Sequence, residues 1–375
     1  MLELFKTNKN HFIGVDFGTS SIKVVELSYT DQQTRLENYG FVDLNLASNN
    51  NGLKSASLEQ ALNESLKKLI ARMGIKPVST YVSIPGFSGL VTIIDLPDMP
   101  DDELAKAIQF EAHKYIPSAL DEIAMSWEII ERKTDSVKLQ DQDNFVAKLK
   151  AKNDPKGRTN GKIKVLLVAA PKKDIEHCDR LVSGAGLDVS AIELETFSIA
   201  RSLVGDDGGT FLIVDIGSRA TNIILVEKSV IQVNRNIDAG GDEITSAIAD
   251  GMNIARARAE IFKKGDKDML NSNETAIIIP VLDLIVGELR RIIAAYKEKN
   301  REARIDSLII SGGTSKMKGI EEYFTRSLGE KVRMGNPWRG IVVSNEVAPF
   351  TKELGSSFSV ALGLALRGID DYKRK

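Results

Sequence analysis

The feature that most constrains this chain is a short motif that occurs twice. Residues 12–27, FIGVDFGTSSIKVVEL, can be laid on residues 211–228, FLIVDIGSRATNIILVEK, at an offset of 199, matching Val15 to Val214, Asp16 to Asp215, Gly18 to Gly217 and Thr19 to Ser218. Each copy reads as a β-branched strand, a glycine-containing turn and a second strand, which is hairpin punctuation. A single Asp-x-Gly turn says little, because any hairpin can need a glycine there for its own backbone. Two copies say more. Opposed hairpins can grip a triphosphate from both sides, each presenting backbone N–H groups to phosphate and one carboxylate to a shared hydrated divalent cation.

Size and charge narrow the field further. A chain of 375 residues holds two domains, or one large domain with an insertion. With 42% hydrophobic and 27% charged residues it reads as a soluble, folded protein. Fifty basic side chains against 52 acidic ones exclude a general pull toward nucleic acid. The lone Cys178 and the scattered His11, His113 and His177 exclude a disulfide framework and a zinc cluster built from these residue types, and favour a reducing cytoplasm. No apolar run is long enough to span a membrane, and a secretory signal is not expected. Leu2, Leu4 and Phe5 beside Lys6 and Lys9 could touch a membrane surface, but the segment is too short to anchor there alone, and a frayed terminus is expected.

Along the chain, apolar spacing predicts a helix over Leu58–Met73 and a strand at TYVSIPG. A helix over Asp101–Tyr115 follows Pro100 and three acids and is closed by Pro117. A strand over Asp121–Arg132 leads into a polar run, 133–162, expected to be a loop or hairpin tip. Then come IKVLLVAAP as a strand, a helix over Asp174–Val182, an extended Leu187–Ile192 and a helix over Thr196–Val204, an α/β order with mixed sheets. One helix begun by Gly-Gly-Asp is expected through GGDEITSAIADGMNIARARAEIFKKG, another over Ile277–Lys297, and a strand over Ile305–Ile310 that opens into SGGTSKMKGI. Two adjacent glycines after that strand let the backbone lie flat against an adenine or α-phosphate. Glu260 and Lys263, one helical turn apart, suit either a ribose-hydroxyl clamp or a solvated ion pair. In AIELETF, Glu193 and Glu195 could orient a water for slow hydrolysis, or simply form an acidic helix start.

With these residues in view, the sequence resembles the actin, sugar-kinase and heat-shock-chaperone ATPase superfamily. VDFGTSSIK is similar to its first phosphate loop, VDIGSRATN to its second and IISGGTSKMKG to its adenosine loop, in family order across nearly the whole chain. The resemblance implies an actin-like fold with two lobes of duplicated mixed β-sheet plus helices. It implies ATP or ADP with Mg²⁺ held through Asp16 and Asp215. Gly18, Thr19, Ser20 and Lys23 would face the phosphates beside Gly217 and Ser218. Gly240, Gly241, Glu260, Lys263, Gly312, Gly313 and Thr314 would surround the nucleoside. Asn222 stands where the repeat would match Lys23, so the halves are not chemically interchangeable. The implied partition is 1–85 with 163–205 for the first lobe, 86–162 for an inserted FtsA-like subdomain in that lobe, 206–240 with 302–375 for the second lobe, and 241–301 for a helical nucleotide-side subdomain.

A narrower resemblance is carried by LPDMPDDELAKAIQFEAHKYIPSALDEIAMSWEII, with Lys114, Tyr115, Ile116 and Pro117 followed by Asp121 and Glu122, and by the opening IGVDFGTSSIKVVEL and the GGDEIT step. These are similar to the type IV pilus assembly family PilM, relatives of the division protein FtsA. That resemblance implies a cytoplasmic ATP-binding scaffold that takes the N-terminal cytoplasmic tail of PilN. It would meet other platform and motor proteins, and sit at the inner membrane only through protein partners. On the first inserted helix Leu104, Ile108, Glu111 and Tyr115 are the candidate partner-binding residues, unless its apolar face packs on its own small sheet. A small-molecule kinase and an FtsA-like polymerising protein are the alternatives; the charged C-terminus ALRGIDDYKRK lacks the apolar face of a membrane helix.

Overall fold

The computed structural model describes residues 10–44, 55–76, 79–116, 119–133, 161–271, 277–299 and 304–375. The expectations placed on the N-terminal nonapeptide, on Pro117 and on nearly all of the run 133–162 lie outside the described residues.

The duplicated motif becomes a duplicated sheet. In the first lobe β1 (His11–Phe17), β2 (Ser21–Thr30) and β3 (Gln33–Asp43) are an antiparallel meander, and β1 continues in parallel to β4 (Ser79–Ile84) and β8 (Asp188–Leu194), giving the order β3-β2-β1-β4-β8. In the second, β9 (Thr210–Ile216), β10 (Thr221–Glu227) and β11 (Val230–Ile237) repeat the meander, and β12 (Ser307–Ser311) with β13 (Val332–Met334) repeat the parallel half, giving β11-β10-β9-β12-β13. Every residue of β9 and β12 is buried, the pattern of strands covered on both faces.

Helices α1 (Ser55–Met73) and α3 (Lys172–Gly184) are tied by the Asn63 amide, which donates to the Leu181 carbonyl at 2.8 Å. Helix α4 (Glu195–Leu203) follows β8 directly. The last helix, α10 (Ser359–Lys373), corrects the expected partition: it packs on the first sheet, not the second. A methyl at Gly14 on β1 would overlap the Ala361 carbonyl, and one at Gly363 would overlap the Ser198 carbonyl on α4, so two glycines set this close approach. The Phe12 and Tyr372 rings meet at 5.9 Å further along the same seam.

The second sheet is covered by α5 (Gly241–Met252), α6 (Arg256–Lys264), α7 (Pro280–Lys299) and α8 (Ile320–Leu328). Ile244, Ile248, Leu282, Ile285 and Leu289 share one core with Leu212, Val214 and Ile223 of the strands. The single helix expected from Gly241 to the 260s is two, broken where Asn253 takes a left-handed backbone (φ 51°) that caps α5. Asparagine tolerates that conformation better than most residues, and helical spacing alone does not register the stop. Between β13 and α9 (Ala348–Leu354), Val342 bridges to Arg35, exchanging backbone hydrogen bonds with Thr34 and Leu36 at 2.9 Å. This shields part of the exposed β3 edge.

Both sheets belong to one compact unit, Met1–Phe87 with Asp174–Lys375, and Ser88–Lys173 forms a second. In the smaller unit β5 (Leu90–Pro97) and β6 (Ile123–Lys133) flank β7 (Lys162–Pro171) in an antiparallel sheet. Its helix α2 (Asp101–Ala112) starts after Pro100 with Asp101, Asp102 and Glu103 in the first turn, where acids favour the helix dipole. Leu104, Ile108 and Ala112 pack against Ile94, Val165 and Leu167. The boundary expected between 162 and 163 therefore falls a strand too early, because β7 is hydrogen-bonded on both sides inside the small unit.

Candidate functional site

The two turns present their carboxylates from matching register positions. Asp16 lies across the β1–β2 pair from Lys23, and Asp215 lies across the β9–β10 pair from Asn222. Both aspartates are buried. The Lys23 ammonium donates to Asp16 Oδ2 at 3.3 Å. Asn222 instead donates its amide to Glu195 Oε1 at 2.9 Å, and that oxygen also accepts the Gly86 backbone N–H at 2.7 Å.

Electrostatics follow from this asymmetry. Burial pushes Asp215 up to about 6, with the Asp16 charge adding to it and Ser311 and Lys23 opposing it. Burial pushes Glu195 up to about 7; the Gly86 and Asn222 hydrogen bonds oppose the rise, and the charges of Asp16 and Asp215 increase it. Three carboxylates from three elements thus share one electrostatic neighbourhood.

Glu193 corrects the expected pairing of the two glutamates. It accepts from Arg201 Nη1 at 2.7 Å and Nη2 at 3.1 Å, from Arg367 at 2.8 Å and from the Ser198 hydroxyl at 2.6 Å. Burial works against its ionisation, yet Arg201 and Arg367 hold its pKa below the usual carboxylate range. Glu193 is consumed in locking α4 to α10, while Glu195, two residues on, reaches the turns.

The second turn is built into the start of α5. Gly217 donates to the Ala220 carbonyl at 3.0 Å; the Gly217 and Ser218 carbonyls accept from Gly241 at 2.9 Å and Asp242 at 2.8 Å. The Gly240 N–H is taken by the Glu243 side chain at 2.7 Å. Gly241 and Asp242 therefore brace the turn with their amides, and Gly240, where a methyl would meet the Gly217 and Ser218 carbonyls, lets them come close. The pair Glu260–Lys263 forms at 2.7 Å but is not solvated: Lys263 is buried and donates to Gly241 O at 2.9 Å and Thr245 Oγ1 at 2.8 Å. Burial depresses the Lys263 ammonium, and its acceptors restore part of that. Lys264, which spacing did not single out, holds the other Glu260 oxygen at 3.2 Å.

On the third element Gly312 adopts φ 88°, open to glycine at little cost, and Thr314 Oγ1 donates to Gly217 O at 3.3 Å. Four buried serines pin this loop to the start of α10: Ser311 with Ser359 at 2.9 Å, and Ser315 with Ser356 at 2.8 Å. No motif in the sequence marked them, nor Gly86 and Asn236. A methyl on Gly86 would lie 2.8 Å from Asn222 Oδ1 and 2.9 Å from Asn236 Oδ1, two buried oxygens without a hydrogen-bond partner that face its α-carbon. Asn236 also donates to the Gly86 carbonyl at 3.1 Å.

The partner candidates on α2 divide. Leu104 and Ile108 are fully buried in the small unit's core, which removes them from any docking surface. Glu111 pairs with Lys114 at 2.8 Å, and Tyr115 is exposed. Among the described residues of this unit, Phe110, 75% exposed, and Trp127 also face outward, and helical spacing did not single them out.

Duplicated five-stranded sheets with an acid-bearing turn on the first hairpin of each define an actin-like ATPase fold. The family model for the type IV pilus assembly protein PilM matches residues 14–369, and the chain belongs to that family. It is similar to the solved PilM-PilN type IV pilus biogenesis complex, with a TM-score of 0.75 at 22% identity over 95% of this chain and 98% of that one. A second solved structure, the ethanolamine utilization protein EutJ from Carboxydothermus hydrogenoformans, gives a TM-score of 0.52 at 18% identity, over 95% of this chain and 89% of that one. Among curated relatives, the cell division protein FtsA of Enterococcus hirae is 21% identical over 360 residues, covering 87% of this chain and 78% of its own length. EutJ of Escherichia coli is 27% identical over 156 residues, 42% of this chain and 51% of its own. Among the described residues no helix is long and apolar enough to cross a membrane.

Proposed function

We propose that this chain is a nucleotide-binding adaptor of type IV pilus assembly. In this reading ATP or ADP occupies the space between the two turns, and a PilN-type partner delivers its N-terminal cytoplasmic tail, with nucleotide occupancy biasing the affinity for that tail. The observation that carries it is the placement of Asp16 and Asp215 at equivalent positions on duplicated turns, with the charge of one acting on the other. The similarity to the PilM-PilN complex supports the partner.

The residues fit a magnesium nucleotide. Among the described residues no three acidic, histidine or cysteine side chains are grouped so as to hold a metal ion by themselves. Two carboxylates completed by phosphate oxygens and water are the usual Mg²⁺ set, and a divalent cation would offset the burial and the Asp16 charge that raise Asp215. Asp16 and Asp215 would hold it; the metal would neutralise phosphate charge. Gly18, Thr19, Ser20 and Lys23 would meet the phosphates from the first lobe and Gly217 and Ser218 from the second. Gly312, Gly313 and Thr314 would lie against the nucleoside. Gly240, Gly241, Glu260 and Lys263 would form the floor that keeps the second turn in shape. A ligand closing the two lobes matters only if it changes the partner's affinity.

A small-molecule kinase would need a free carboxylate base beside a second substrate. Glu193 is held by Arg201 and Arg367, and Glu195 by Gly86 and Asn222. That favours a scaffold over an efficient catalyst. The protein would reach the inner membrane through its partner, from the cytoplasmic side.

The test is calorimetric titration with a synthetic peptide copying the cytoplasmic tail of the cognate PilN, with and without Mg-ATP. Saturable binding whose affinity changes severalfold with nucleotide is the expected result. No binding in either state would remove the adaptor reading.

A further inference from the structure

The second turn carries a cation that neither the duplicated motif nor the metal site uses. Arg219 lies between Ser218 and Ala220, where the offset of the repeat puts Ser20 in the first turn. The backbone on both sides of it is pinned: the Ser218 carbonyl takes the Asp242 N–H at 2.8 Å and the Ala220 carbonyl takes the Gly217 N–H at 3.0 Å. Its side chain is exposed and held by two weak contacts. Nε lies 3.3 Å from Asp238 Oδ1, an ion pair with both partners in solvent, and the guanidinium lies 5.5 Å from the centre of the Phe87 ring, which is itself half-exposed. Exposed pairs of both kinds bind feebly, whereas a guanidinium meets a phosphate through paired charge-assisted hydrogen bonds.

Phe87 is not an arbitrary neighbour. It is the last residue of the larger unit before Ser88 opens the smaller one. Gly86 beside it donates to Glu195 and accepts from Asn236, so the residue before Phe87 is held by side chains of the candidate site while Phe87 itself has the loose Arg219 contact.

We propose that Arg219 reads the outermost phosphate of the bound nucleotide: it exchanges Phe87 and Asp238 for that phosphate, and so makes the packing of the junction residue Phe87 depend on the charge of the ligand. This rests on the nucleotide reading above. Arg219 acts on ligand binding directly and on the junction by competition, since the guanidinium leaves Asp238 and Phe87 to reach the phosphate.

The test compares affinities of ATP, ADP and AMP, each with Mg²⁺, for the wild-type chain, Arg219→Ala, Arg219→Lys and Phe87→Ala, together with hydrogen exchange across residues 86–90. Arg219→Ala should weaken ATP by about ten- to a hundredfold, the range for a hydrogen-bonded charge contact, ADP by less, and leave AMP unchanged. Arg219→Lys should fall between, because a point charge replaces a fork. Phe87→Ala removes the competitor and should bind ATP as well as wild type or severalfold more tightly. In wild type, exchange over 86–90 should be faster with ATP than with AMP, and Arg219→Ala should abolish the difference. If the wild type binds ATP while Arg219→Ala weakens all three nucleotides alike or none of them, the proposal is wrong and the nucleotide reading stands. A wild type that binds none of the three removes both.

Discussion

The two turns share a backbone and differ in chemistry. Each follows a strand whose penultimate residue is a buried aspartate, and each aspartate faces one cross-strand residue, but that residue is an ammonium in the first lobe and an amide in the second. Asp16 therefore has a cation at 3.3 Å within its own hairpin. Asp215 has none at that range; Asn222 turns instead to Glu195 on the opposite lobe. The difference teaches that duplication fixed the geometry of the site and left its charge to be divided. One turn is neutralised from within, and the other carries a carboxylate that burial pushes up to about 6, with no cation facing it across its own hairpin.

Removing the second carboxylate is the largest perturbation of that comparison. Asp215→Asn should lose Mg²⁺-dependent ATP affinity by about a hundredfold or more, the loss expected when one of two metal-holding charges goes. It should also raise the melting temperature of the ligand-free protein, because a buried carboxylate with no cation in its own hairpin is exchanged for a neutral amide. Calorimetry and a thermal scan together check both; a variant that loses affinity and stability alike would mean that Asp215 is a structural residue.

The next effect is in pH. Glu195 and Asp215 both have folded-state pKa values raised above those of the unfolded chain. The folded state then binds more protons between about pH 4 and 7, so these groups favour folding at the acid end, and that contribution is lost as pH rises through about 6 for Asp215 and about 7 for Glu195. Denaturant melts of the ligand-free protein should show stability falling across that window, with Glu195 responsible for on the order of 3 kcal/mol. Glu195→Gln should flatten the upper half of the slope, and Mg-ATP should shift it to lower pH. A profile unchanged by Glu195→Gln would show that its carboxyl is better hydrated than its position between Gly86 and Asn222 implies.

The smallest effect makes the turns alike. Lys23→Asn copies the second turn's residue into the first and should weaken ATP by about tenfold while leaving the fold intact, since Lys23 makes one partly exposed pair. The reciprocal Asn222→Lys should not restore it, because a lysine there would meet Glu195 instead of a phosphate. Equal affinities for wild type and Lys23→Asn would mean that the ammonium serves only Asp16.

Much of this was legible because the signals were local. Strand, turn and strand at residues 12–27 and again 199 residues later required only β-branched runs and glycines, and the matching strand orders follow from that repeat. The failures are nonlocal. Helix α10 looked like the end of the second lobe until glycines at 14 and 363 let it sink onto the first sheet. Strand β7 looked like the return to the first lobe, but strand pairing is a property of neighbours and not of order. Glu193 and Glu195 are indistinguishable in AIELETF; Arg367, 174 residues away, separates their roles. Leu104 and Ile108 were offered as partner contacts by a periodicity that reports only that a helix face is apolar, not what covers it.

By itself, then, the sequence determined the two turns, their aspartates, the glycine pair at 312 and 313 and the family to which the chain belongs, because each is written in consecutive residues whose backbone preferences act over a few ångströms. Only the tertiary structure decided which of those residues carries unmet charge. It turned Asn222 toward Glu195, buried Lys263 under α5 and set Arg219 over Phe87. Desolvation and Coulomb fields depend on what the fold brings close from distant parts of the chain, and no local pattern encodes those distances.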